Sequence, residues 1–113
     1  HSADAARVAE EVSRVLFGKA DPGTLSEAVL QALSQEVPFA EVGEMPGLLD
    51  ALVLLKLTAS KGAGRRLVEQ GGVYLNGERA SADTNLATAK PLAARYHLIR
   101  KGARDYGLLR VEK

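Results

Sequence analysis

Ala5, Val8, Ala9, Val12 and Leu16 recur at intervals of three and four, the spacing of one helical stripe, and predict an amphipathic helix from Ala5 to Phe17. Gly18 stops it, and Asp21-Pro22-Gly23 supplies turn residues. Thr24 with Glu27 three positions on has the form of a capping box, opening a second helix to about Gln35 along Leu25, Ala28, Val29, Ala32 and Leu33. Pro38 prevents its continuation, and Val37 to Val42 reads as a short extended segment, a candidate edge strand. Pro46-Gly47 opens a third helix. Its Leu48, Leu49, Leu52, Val53, Leu55 and Leu57 make it apolar around its circumference, so it is expected centrally in the core. Ser60 fits the N-cap of a fourth helix, Lys61 to Gln70, closed by Gly71-Gly72. Only Ala63, Leu67 and Val68 are available to its buried side, which leaves Lys61, Arg65 and Arg66 for the surface.

Beyond Gly72 the period shortens to two. Val73-Tyr74-Leu75 alternates as a strand, Asn76-Gly77 is a strong signal for a tight hairpin turn, and Glu78 and Arg79 begin the return. Ser81 to Ala89 is polar and loop-like. A second hairpin pairs Tyr96-His97-Leu98-Ile99-Arg100 with Tyr106-Gly107-Leu108-Leu109-Arg110-Val111 through Lys101 to Asp105. Helices first and strands later imply an α+β fold: N-terminal helices followed by a helix pair packed on a small, mostly antiparallel sheet.

Composition narrows the classes. The 113 residues, 46% apolar and without cysteine, amount to one domain with a modest core, no disulfide framework, no thiolate metal site and no cysteine nucleophile. The longest apolar run, Ala51 to Leu55, is far short of the roughly 20 residues of a membrane helix, so no membrane partner is expected and the cytoplasm is the default compartment. The chain begins His1-Ser2 without methionine, as a processed protein or a piece of a longer one does.

Charge divides the chain. Residues 1–50 carry three Lys/Arg and nine Asp/Glu, a balance of −6; residues 51–113 carry twelve and five, a balance of +7. Such asymmetry points to a nucleic-acid partner. Catalytic and metal-binding chemistry is poorly supplied: His1 and His97 have no paired spacing, a strand histidine is ordinarily a hydrogen-bonded structural residue, and Glu10-Glu11 point different ways around a helix. No catalytic residue, metal site or cofactor is expected. Lys61-Gly62-Ala63-Gly64-Arg65 lacks the spacing of a Walker loop and the preceding strand of a dinucleotide fingerprint. Its glycines instead leave backbone N–H groups open at a helix start beside Lys61, Arg65 and Arg66, which suits a backbone phosphate. Asn76 and Arg79 at the first hairpin and Arg100, Lys101 and Arg104 at the second add positive charge on projecting elements. Tyr74, Tyr96 and Tyr106 offer rings for stacking or hydroxyls for phosphate bonds, although a strand tyrosine is more often a half-buried packing residue.

The stretch Ser60-Lys61-Gly62-Ala63-Gly64-Arg65-Arg66 through Gly72-Val73-Tyr74-Leu75-Asn76-Gly77 resembles an RNA-binding module. That module is shared by the fourth small-subunit ribosomal protein, pseudouridine synthases, a ribosome-associated heat-shock protein and bacterial tyrosyl-tRNA synthetases. Ala5 to Gly18 resembles the helix that leaves the synthetase catalytic domain, and Ile99-Arg100-Lys101-Gly102 with Tyr106 is similar to the end of those enzymes. The resemblance implies a C-terminal domain that grips tyrosine-accepting tRNA at its variable arm and anticodon region. Lys61, Arg65 and Arg66 match the family's basic helix, and Asn76-Gly77 match its hairpin turn. The synthetase signatures of His-Ile-Gly-His and Lys-Met-Ser-Lys-Ser type are absent, so aminoacylation would fall to a catalytic domain in the same polypeptide. The chain departs from the family at Ala63-Gly64, where an acid and a better helix former are usual; a glycine there should weaken the helix by about 1 kcal/mol.

The expected RNA-binding residues are therefore Lys61, Arg65, Arg66, Asn76, Gly77, Arg79, Arg100, Lys101 and Arg104. Residues 1–46 are expected to form an acidic helical linker region with a candidate edge strand, its helices over residues 5–35 facing away from RNA and docking or spacing the catalytic domain. Residues 47–113 are expected to form the basic module, and the isolated domain to be a monomer. Two other readings stay open: the same module in a pseudouridine synthase or ribosome-associated factor, and a protein-interaction module whose basic half meets an acidic partner.

Overall fold

The computed structural model describes residues 2–17, 25–44, 46–81, 84–86, 89, 91–93, 95–102 and 105–111. Among them the elements run α1 (Ser2–Leu16), α2 (Glu27–Leu33), β1 (Phe39–Val42), α3 (Leu48–Leu54), α4 (Lys61–Glu69), β2 (Val73–Leu75), β3 (Glu78–Arg79), β4 (Tyr96–Lys101) and β5 (Asp105–Val111). The strands form one sheet in the order β1-β5-β4-β2-β3; β1 runs parallel to β5 and the other pairs are antiparallel. This is the expected α+β fold with a mostly antiparallel sheet.

Register sorts the strand residues between two cores. Leu98 lies opposite Leu108 and Ile99 opposite Gly107, and successive side chains of a strand point to opposite faces. Tyr96, Leu98, Tyr106 and Leu108 join Val12 and Val15 of α1 and Val29, Leu30 and Leu33 of α2 in one buried cluster. Ile99, Leu109, Val73 and Leu75 join Leu48, Ala51 and Leu52 of α3 and Val68 of α4 in the other. The sheet thus has α1 and α2 on one face and α3 and α4 on the other. Burying each of the central leucines contributes on the order of 1.5–3 kcal/mol. The acidic first part and the basic second part share this framework, because β1 pairs with β5 along Phe39–Val42 and Leu108–Val111.

Local chemistry explains the boundaries. Ser26 Oγ accepts from the Val29 N–H and starts α2 two residues later than a cap at Thr24 would; Thr24 itself lies outside the described residues, as do Gly18 and Asp21-Pro22-Gly23. Asn76 and Gly77 take φ of 52° and 91°, the left-handed pair that joins β2 and β3 through a two-residue turn.

Two packing expectations need correction. First, α3 is not enclosed: Val53 and Leu54 are 36% and 49% exposed, because a helix in an outer layer meets the sheet along one stripe only, and it ends before Leu57. Second, the buried side of α4 is Gly64 and Val68, while Ala63 and Leu67 are half-buried. Gly64 faces α3 so closely that a Cβ there would lie 3.2 Å from Leu52 Cδ1 and 3.4 Å from Leu49 Cδ2. Gly107 plays the same part in β5, where a Cβ would fall 2.8 Å from Leu55 Cδ1.

Candidate nucleic-acid interface

The first turn of α4 is fixed from both sides of Ser60. Its Oγ accepts from the Ala63 N–H at 3.2 Å, and its carbonyl oxygen accepts from the Thr58 hydroxyl at 3.2 Å. Ser60 thereby fills the expected cap position. The helix so anchored presents Lys61, Arg65 and Arg66 as exposed residues. Lys61 Nζ lies 2.7 Å from Asp50 Oδ1 of α3, with both side chains more than half exposed, so this pair is weak and open to competition from another anion. Arg65 and Arg66 make no side-chain hydrogen bond or ion pair among the described residues. Asp50, Lys61, Arg65 and Thr84 line a groove of about 500 Å³ between α3, α4 and the segment after β3.

The first hairpin has the expected Asn76-Gly77 turn and is tied to β4 by Asn76. Asn76 Oδ1 accepts from the Leu98 N–H at 2.7 Å, its Nδ2 lies 3.1 Å from His97 Nδ1, and its own N–H donates to the Leu98 carbonyl at 2.7 Å. These bonds of the side chain and the backbone join the turn to β4. Gly77, exposed, supplies the backbone conformation that makes the turn possible. His97, only 1% exposed, holds the neutral ring in which Nδ1 accepts, and burial pushes its pKa below the ordinary 6.5. It is a structural histidine, as its strand position predicts.

A second group of cations meets at the C-terminal end of α4. The Gly102 N–H donates to the Gly72 carbonyl at 2.8 Å and Val73 pairs with Lys101, so the second hairpin folds against the Gly71-Gly72 bend. Arg79 crosses the same bend: a Cβ on Gly71, which has φ of 77°, would lie 3.3 Å from Arg79 Nε. Arg79 reaches on to Tyr74, donating from its guanidinium to the phenol oxygen at 3.4 Å, and Arg100 stacks on the same ring with its guanidinium carbon 3.9 Å from the centroid. The hydrogen bond and charge of Arg79 hold the Tyr74 phenol below its ordinary pKa of 10.0. Arg104 lies outside the described residues.

The expected cations therefore divide between the α4 surface, with Lys61, Arg65 and Arg66, and a rim around Gly71-Gly72, with Arg79, Arg100 and Lys101. Among the tyrosines, Tyr96 and Tyr106 are buried packing residues, and Tyr74 is half-buried between two arginines. The readable signal for Tyr74 is the Asn-Gly turn itself, which sets Tyr74 opposite Arg79. Among the described residues no group of three His, Asp or Glu side chains is placed to hold a metal, and no helix is long and apolar enough to cross a membrane.

Comparison with known proteins gives this arrangement its class. The fold is similar to the solution structure of a tyrosyl-tRNA synthetase C-terminal domain, with a TM-score of 0.56 and 26% identity over 82% of this chain and 96% of that one. Residues 29–109 match the family described as the tyrosine–tRNA ligase SYY-like C-terminal domain, and the chain belongs to that family. Relatives include the tyrosine–tRNA ligases of Anaeromyxobacter dehalogenans strain 2CP-1, 41% identical over 98% of the chain, and of Corynebacterium jeikeium, 37% identical over 98%. A third, from Mycobacterium tuberculosis, is 36% identical over 93%. The chain spans about a quarter of the length of these relatives, 26–28% of each.

Proposed function

We propose that this chain is the non-catalytic, tRNA-binding part of a tyrosyl-tRNA synthetase. It holds tyrosine-accepting tRNA at the variable arm and anticodon region while a catalytic domain of the same polypeptide performs the aminoacylation. The observation that carries the reading is the pair Arg65 and Arg66, exposed on a capped helix and without protein partners among the described residues. Guanidinium groups match phosphate oxygens with two parallel N–H bonds, and the wide minor groove and phosphates of folded RNA admit such contacts from a helix surface. Lys61 joins them once phosphate displaces Asp50. Arg79, Arg100, Lys101 and Arg104 widen the positive surface, and Asn76-Gly77 shape the hairpin that carries Arg79. No cofactor takes part. The domain works in the cytoplasm and is a monomer when isolated.

The test is a titration of this chain at two salt concentrations with tyrosine tRNA, a tRNA of short variable arm and a ribosomal RNA hairpin. Salt-sensitive preference for the tyrosine tRNA is expected, and equal binding to all three would reduce the reading to a general RNA-binding module. Arg65→Ala with Arg66→Ala should weaken binding and lower the log-log salt slope by about 1.4–1.8, the value for two phosphates. Unchanged affinity in that folded double variant would remove α4 from the interface.

A further inference from the structure

One row of side chains crosses four strands on a single face of the sheet: Arg79, Tyr74, Arg100 and Tyr106, each directly opposite the next. Tyr106 is buried and closes the row at one end. Tyr74 sits between the two arginines, with Arg100 over its face at 3.9 Å and Arg79 at 5.8 Å from its centroid. An aromatic face attracts each guanidinium separately, yet two like charges on one small ring repel each other. Among the described residues no carboxylate pairs with either arginine, and the flanking acids Glu78 and Asp105 stand opposite Leu75 and Lys101, in register positions of the other face. Nε of Arg100 is buried without a hydrogen-bond partner.

We propose that Tyr74 holds Arg79 and Arg100 as a two-guanidinium clamp for one phosphate of the RNA backbone, at the Gly71-Gly72 rim. The inference rests on the tRNA-binding reading and adds a second, separately built contact to the one on α4. A phosphate fits the site better than a base. Arg100 already covers the ring face that a base would stack on, whereas two forks of N–H donors with no acidic partner match the charge and geometry of a phosphate. The phenol oxygen accepts from Arg79 and fixes that fork. Arg79 gains further restraint from lying against Gly71.

The test uses this chain and tyrosine tRNA in anisotropy titrations over a range of salt. Arg79→Gln with Arg100→Gln should lower the salt slope by about 0.7–0.9, the value for one phosphate. The single variants should each lose nearly as much affinity as the double, because residues that grip one group are coupled. Tyr74→Leu removes no charge and should weaken binding about two- to fivefold, the worth of an exposed cation–π contact, while Tyr74→Phe, which keeps the stack, should lie closer to the unsubstituted chain. Where circular dichroism shows that Tyr74→Leu is unfolded, the arginine variants decide. An unchanged slope in the folded arginine double variant, or losses that simply add, would overturn the clamp; if Arg65→Ala with Arg66→Ala still weakens binding, the tRNA reading survives that result. Failure of the unsubstituted chain to bind any RNA would overturn both.

Discussion

The amide of Asn76 ties the first hairpin to the centre of the sheet through Leu98 and His97, and the histidine works there only as a neutral acceptor. In the unfolded chain its ring titrates near 6.5, whereas in the fold burial lowers that value. The unfolded chain therefore binds more protons below pH 6.5, so stability contributed by the neutral ring is present above that pH and is lost as pH falls toward the folded value. Thermal unfolding at about pH 7.5 and 5.5 should show this loss, and His97→Gln, which keeps an acceptor but does not titrate, should flatten it. Asn76→Ala leaves the buried Leu98 N–H unpaired and puts an alanine at φ of 52°; a cost of about 1–3 kcal/mol is expected in denaturant unfolding. The turn was legible from the Asn-Gly pair alone. The use of the Asn76 side chain was not, because its partners lie 21 and 22 residues away on another hairpin.

Elements whose cause is local were legible, and those set by distant neighbours were not. Three-and-four spacing located the helices and the period of two located both hairpins, but the parallel pairing of β1 with β5 joins residues about seventy positions apart and leaves no trace in either segment. The sequence likewise marked Gly64 as a weak point of α4 and placed Gly62 beside it in the same turn. The structure separates them: a Cβ on Gly62 meets only Ser60 Oγ at 4.0 Å, while one on Gly64 presses on Leu52. Gly62→Ala should thus raise the melting temperature, by up to about 1 kcal/mol of helix propensity, and Gly64→Ala should gain less because Leu52 must shift. Gly107→Ala has no such compensation. Overpacking against Leu55 should cost about 1–3 kcal/mol, read as a lower denaturant midpoint.

For the whole molecule, the sheet separates two helical layers of different character. Glu10, Glu27 and Glu36 are exposed on or beside α1 and α2, the cations of α4 are exposed across the sheet, and the Arg79–Tyr74–Arg100 row shares the α1–α2 face at the sheet edge that β3 forms. Glu10→Gln with Glu36→Gln should accordingly leave tRNA affinity within about twofold, whereas the α4 arginine pair should not; titrations at matched salt compare them. Half of the candidate site was legible, since a basic helix with few acids announces itself in composition. The cations of the rim were legible as well, but the meeting of Arg79 and Arg100 on one ring was not, because Tyr74 acquires both only when β2, β3 and β4 are aligned.

The strand order has a consequence for how the protein is made. β5, the last of the described strands, lies between β1 and β4, and its adjacent Leu108 and Leu109 complete the two opposite cores. A growing polypeptide leaving the ribosome can form its helices and the Asn-Gly hairpin early, but neither layer can close until these residues have emerged. Closure of the two cores thus waits on this strand, and a chain broken off before Leu108 would leave the apolar faces of α1 to α4 exposed to chaperones and proteases.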